Sequence, residues 1–255
     1  MKKILFVLAA FAALLFGAMA NAQTQINQAN ISSFPYVITQ PGSYILTSNI
    51  TVSVPGTTAI FIQANNVVLN LNGYSVSGPL TCTGSSCNST SAAAGVYGIA
   101  ANATIENGSI SGFYYGAEVF SGSIRELQFS SCVYCIYAYN AAIRHNTIIG
   151  SAQNAIYAFY SNVGDNTISQ AYGTGIYGSY SSIINNSVYQ TTGGGLEGVN
   201  SSVVNNTVGN SSTWGIVLYG GYAGGNTSMN NTTSDLNLYS YAVSTKNNAC
   251  TKGAC

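Results

Sequence analysis

Ile136…Ile143-Arg144-His145-Asn146-Thr147-Ile148, Ile156…Val163-Gly164-Asp165-Asn166-Thr167-Ile168, Ile176…Ile183-Ile184-Asn185-Asn186-Ser187-Val188 and Leu196…Val203-Val204-Asn205-Asn206-Thr207-Val208 are four passes of one phrase. The lead residues fall at 136, 156, 176, 196 and 216, a step of 20. A fixed period of this length marks a solenoid, in which each unit buries its apolar edge only against its neighbours. With the lead residue as slot 0, slots 0, 2, 7 and 12 are apolar or small, as in Ile156, Ala158, Val163 and Ile168. Slots 1 and 11 are polar or aromatic, as in Tyr157 and Thr167. Alternation at period two between short turns is the mark of half-buried strands. The pattern predicts an all-β, parallel β-helix of about 20 residues per coil.

Slot 10 holds Asn146, Asn166, Asn186, Asn206 and Asn226. Asparagine tolerates the left-handed backbone that a tight turn between strands requires. Stacked at the strand spacing of about 4.8 Å, these side chains are expected to bond to one another and to buried turn backbone. A leucine-rich repeat shares the period and an Asn column, but between 136 and 228 only Leu196 and Leu218 occur.

The phrases "NTIIGSAQNAIYA" (146–158), "NTISQAYGTGIYG" (166–178) and "NSVYQTTGGGLEG" (186–198) resemble the right-handed parallel β-helix repeat of the pectin-lyase-like superfamily, which implies a right-handed coil. Tyr36 to Gly78 resembles the opening of secreted bacterial β-helix proteins. The resemblance implies the fold and leaves the activity open, since one fold hosts many functions. Among that superfamily's enzymes, pectate lyases gather acidic calcium ligands beside a basic proton acceptor. Polygalacturonases use grouped aspartates with Gly-His-Gly and Arg-Ile-Lys motifs. Here Asp165 and Asp235 are the only aspartates and the repeat region has no lysine. Neither activity is expected, nor any cofactor or metal.

Met1 to Ala22 reads as a secretory signal: Lys2-Lys3, an apolar run from Ile4 to Phe16, and Ala20-Asn21-Ala22 at the cleavage site. The apolar run is too short to span a bilayer and no later stretch is long enough, so no transmembrane segment is expected in the mature chain. The expected location is secreted, periplasmic or cell-surface. Residues 23–57 read as an N-terminal cap and 58–229 as the coils. A Ser/Thr/Gly-rich loop is inserted at 79–94, and 230–255 read as a C-terminal cap and tail. Removing Lys2 and Lys3 leaves four basic residues against six acidic ones, a net charge of −2. Charged residues are 5% of the chain, far below the usual quarter. Nucleic acid is an unsuitable partner without a basic face.

The six cysteines form local pairs, Cys82/Cys87, Cys132/Cys135 and Cys250/Cys255. In an exported chain each pair is expected to be a structural disulfide. The C-x-x-C spacing of the middle pair does not open a helix, so a redox thiol is disfavoured. His145 is the only histidine, which leaves no Cys/His metal set.

Because each slot stacks on itself, functional residues should form columns. Slot 1 reads Glu118, Tyr137, Tyr157, Tyr177, Glu197. Three phenols flanked by carboxylates suit a sugar chain, with rings on pyranose faces and hydroxyls hydrogen-bonding; plain β-propensity and ring stacking account for the same column. The two glutamates would lie about 19 Å apart, too far for a glycosidase pair. Slots 8 and 9 collect Arg125, Arg144, Glu126, His145 and Asp165. Glu126 and Asp165 would be about 9.6 Å apart, at the edge of the inverting-glycosidase range, with His145 as a proton carrier between them. The competing reading is an ion-pair column that keeps the coils soluble and in register. The reading that follows is a non-catalytic module that contacts polysaccharide or a cell-surface glycan. Its alternatives are a polysaccharide lyase or hydrolase built on the charged column, and a structural or adhesive spacer.

Overall fold

The computed structural model describes residues 23–245, 247–252 and 255; the expected signal sequence, 1–22, lies outside them. The chain is a parallel β-solenoid of about 11 turns with about 20 residues per turn. One regular coil shows the plan. Ile156–Phe159 lies on a first face, Asn162–Gly164 on a second and Thr167–Ser169 on a third. Each pairs in parallel with its counterpart one coil on: Ile156 with Ile176, Val163 with Ile183, Ile168 with Val188. The lead residues Ile136, Ile156, Ile176, Leu196 and Ile216 therefore stack as one fully buried column.

Left-handed residues turn the chain at three corners. In the coil from Ile156 they are Tyr160, Asp165 and Gln170, at slots 4, 9 and 14. The same slots are left-handed at Asn140 and His145 below, and at Tyr180, Asn185 and Gln190 above. The slot-10 asparagines are not the left-handed residues, as the sequence suggested; that role falls one position earlier. The reason is geometric. One left-handed residue reverses the side-chain alternation, so the next residue points inward, and the asparagines are 1–2% exposed. Asn166 Nδ2 donates to Asn186 Oδ1 at 2.9 Å and to the Ile143 and Gly164 carbonyls, while its own Oδ1 accepts from Asn146. The ladder continues through Asn206 and Asn226 to Asn248. It partners buried corner groups that would each otherwise cost about 1–3 kcal/mol.

A second polar ladder lines the first corner. The Ala141, Ser161 and Ser181 amides donate to the hydroxyls of Ser161, Ser181 and Ser201. Isoleucine, valine and leucine fill the space between the ladders.

Tyr36–Ile38, Gly42–Leu46 and Ile50–Thr51 already form a coil, stacked under Ile60–Ile62, Val67–Asn70 and Ser75–Ser77. At the other end, Ser234–Tyr239, Val243–Ser244 and Ala249–Cys250 lie on the preceding coil. Asp235 is fully buried there and ties the tail down by accepting from Asn231, from the Thr251 side chain and backbone, and from the Lys252 backbone. In the inserted loop, Cys82–Thr83 pairs antiparallel with Ser86–Cys87. Disulfides join Cys82 to Cys87 and Cys250 to Cys255.

The middle cysteine pair departs from expectation. Cys132 and Cys135 are buried free thiols. Cys132 stacks in register with Ser151 and bonds the Ser130 carbonyl at 3.3 Å. Cys135 faces inward beside the lead-residue column. Both act as small apolar fillers, and burial pushes the Cys135 thiol up, away from a reactive thiolate.

Candidate functional site

The first face carries the aromatic column. Glu118, Tyr137, Tyr157, Tyr177 and Glu197 occupy one register position on five successive coils. Tyr137 and Tyr157 stack at 5.5 Å and 22°, Tyr157 and Tyr177 at 4.5 Å and 16°. These spacings match the coil step of about 4.8 Å, so the rings lie across the solenoid axis and turn their faces on one another. Edges and hydroxyls, more than ring faces, are what the middle of the column offers outward. Further rings join from the sides: Tyr115 meets Tyr137 at 5.4 Å, Tyr134 meets Tyr157 at 5.9 Å and Phe159 meets Tyr157 at 5.0 Å. Through Tyr139 the contacts pass round the first corner to Tyr160 and Tyr180.

Burial and the neighbouring Glu118 carboxylate push the Tyr115 hydroxyl up to about 12. Burial also raises Tyr157 and Tyr177, helped by adjoining phenols at the first and by Glu197 at both. The phenols thus remain protonated donors across the physiological range. Burial raises the carboxyls of Glu118 and Glu197 as well. Among the described residues neither glutamate has a salt-bridge partner, and Arg125, Arg144 and Lys252 all lie off this face. The inserted loop walls one margin. A side chain at Gly84 would meet the Tyr172 ring at 3.3 Å, and a cleft of about 340 Å³ runs between Ser85, Thr90 and the Tyr114 and Tyr134 rings.

The charged residues gather on the second corner, outside the asparagine ladder. Glu126, His145 and Asp165 are its left-handed turn residues, stacked on consecutive coils. Arg125 forms an ion pair with Glu106 at 2.5 Å, and Arg144 lies 3.7 Å from Asp165. Glu126 and His145 are exposed. Two open hollows flank the corner, one of about 80 Å³ beside Arg144, Gly164 and Asp165 and one of about 200 Å³ beside Asn107, Ser109 and Glu126. The corner is a convex edge with two partly solvated ion pairs.

No family model and no curated sequence matches the chain. Solved structures do. The Dettilon tailspike protein aligns at a TM-score of 0.62 and 17% identity, over 89% of this chain and 54% of the tailspike. The periplasmic alginate epimerase AlgG aligns at 0.56 and 15%, over 84% of this chain and 65% of the epimerase. The chain has the pectin-lyase-like parallel β-helix fold. A GH136 lacto-N-biosidase from Eubacterium ramulus aligns at 0.51 and 10% identity, over 91% and 63%. This β-helix spans less than two thirds of each of these longer proteins.

Some residues of the aromatic face of this β-helix escape a reading by columns of twenty. Tyr115 and Tyr134 precede the regular repeats, and Phe159 and Tyr139 sit two slots beyond the tyrosine column. Trp214 lies over Gly194, whose missing side chain leaves room for the indole. The chain's single tryptophan, two residues before the lead position Ile216, is the available signal.

Proposed function

We propose that this protein is an exported, non-catalytic module that binds polysaccharide along its first face. The observation that carries the reading is the unbroken contact network of aromatic rings from Tyr114 to Tyr180, closed at either end of its central column by Glu118 and Glu197. Protonated phenol hydroxyls, ring edges and carboxylates together match the alternating hydroxyl and C–H surface of a sugar chain. Two of the solved neighbours carry names of carbohydrate chemistry, an alginate epimerase and a lacto-N-biosidase. The unpaired, half-buried carboxylates set the charge preference: an uncharged glycan suits this face, and a polyuronate would add repulsion to their desolvation cost. Export is supported by the expected leader at 1–22 and by two disulfides. Among the described residues no helix is long and apolar enough to cross a membrane.

The test is retention of the mature protein on a panel of neutral, amino-sugar and uronate polysaccharides. Retention by neutral glycans, lost when Tyr137, Tyr157 and Tyr177 are replaced by serine, is the expected result. Equal retention of the folded triple variant overturns the reading.

A polysaccharide-cleaving enzyme is the second reading, favoured by the approach of Arg144 to Asp165 beside His145 and Glu126. It requires new reducing or unsaturated ends that disappear in His145→Ala. A spacer requires neither effect.

A further inference from the structure

Tyr160 and Tyr180 adopt left-handed backbone, with φ of 49° and 51°. This conformation costs a side chain with a Cβ roughly 1–2 kcal/mol, and a bulky aromatic there is an outlier. The same corner column supplies Asn140 below them and Asn200, Gly220 and Ser240 above, residues that suit the turn better. Two coils alone thus carry rings where the fold favours short side chains. Among the described residues their hydroxyls have no hydrogen-bond partner, and they are 49% and 55% exposed, so no core contact repays the strain.

The two rings stack at 5.2 Å and 7°. One face of each is therefore covered by the other. On its other side Tyr180 has no ring partner among the described residues, and the next two coils carry the shorter Asn200 and Gly220, with the Asn200 side chain lying against Gly220, so the larger Tyr180 ring forms a ledge beside them. We infer that this ledge is a sugar subsite, in which one uncharged pyranose stacks on the outer face of Tyr180 and bonds the Asn200 amide. The inference rests on the polysaccharide reading of the first face and extends it round the corner, because Tyr139 joins Tyr160 at 5.1 Å to the rings of that face. It supplies what the central column lacks, an aromatic face open to a sugar ring.

The experiment replaces Tyr180 with asparagine, the residue of neighbouring coils, and compares affinity for whichever neutral polysaccharide the wild type retains. Tyr180→Asn is expected to weaken binding about tenfold while the thermal midpoint stays level or rises by about 1–4 °C. Asn200→Asp, which keeps the turn and removes the amide donor, is expected to weaken binding several-fold. Unchanged affinity in Tyr180→Asn, with the Tyr137/Tyr157/Tyr177 variant still losing it, overturns the subsite alone. A midpoint lowered by several degrees also overturns it, since the rings would then be structural. If the wild type retains no glycan of any class, the first-face reading falls, and the subsite with it.

Discussion

The aromatic first face and the charged second corner are built by the same repeat, on the same coils, yet their side chains are held very differently. On the first face, Tyr137, Tyr157 and Tyr177 lie on flat strand, half-buried, each ring packed on the next. On the corner, His145 and Asp165 ride on single left-handed residues that project from a convex edge. Strand positions fix the direction of a side chain through pleating and packing; exposed turn positions leave it to solvent. Rigid, mutually supported groups suit a binding surface. The charged corner has its structure on the inside, where the asparagines stand, and mostly solvated charge on the outside.

The sharpest way to separate inside from outside at that corner is Asn186→Ala. It leaves the Asn166 amide and the Val163 carbonyl without their partners in the interior. At about 1–3 kcal/mol for each unsatisfied group, the thermal midpoint should fall by roughly 10 °C. A loss of about 1 °C or less would mean that the corner does not depend on the ladder. A pair of variants then compares the two outer surfaces. Tyr157→Ser removes two stacking partners worth about 0.5–1.5 kcal/mol each, for a fall of roughly 5 °C. Arg144→Ala breaks an exposed ion pair worth less than about 1 kcal/mol and should leave the midpoint within about 2 °C. Reversal of that order in a thermal melt would invert the comparison.

The smallest effect is in pH. Burial raises Glu118 and Glu197, so the stability they contribute is fully present below the unfolded carboxylate range, about pH 4.3, and is lost as pH rises through their folded values. Asp235 runs the opposite way. Burial pushes it up, but hydrogen bonds from Thr251, Asn231 and Lys252 outweigh this and hold it below its usual range. Its contribution is present above about pH 3.9 and is lost as pH falls through its lower folded value. Amide hydrogen exchange should therefore show the first face tightening on mild acidification and the final coil loosening only in stronger acid. Parallel loosening of both regions would contradict these signs.

The period of twenty made the register legible, and with it both outer columns. Ile156, Tyr157 and Asn166 are neighbours of Ile176, Tyr177 and Asn186 because the repeat leaves no other parallel pairing. The serine ladder through Ser161, Ser181 and Ser201 was equally visible at steps of twenty. It was hidden by its chemistry, since serine reads as an ordinary turn residue until its hydroxyl is seen inside the corner. The spacing of Cys132 and Cys135 points to a disulfide, but spacing describes only availability, whereas burial makes the two free thiols fillers.

By itself the sequence determined which residues lie above which, because a repeat that buries its edges against copies of itself admits one stacking order. Only the tertiary structure decided where the chain bends and which way rings turn. Whether slot 9 or slot 10 takes the left-handed backbone, whether phenols present edges or faces, and whether a disulfide-stapled loop leans on Tyr172 depend on side chains competing for space across coils. Periodicity carries no record of that competition, since it repeats identities and not orientations.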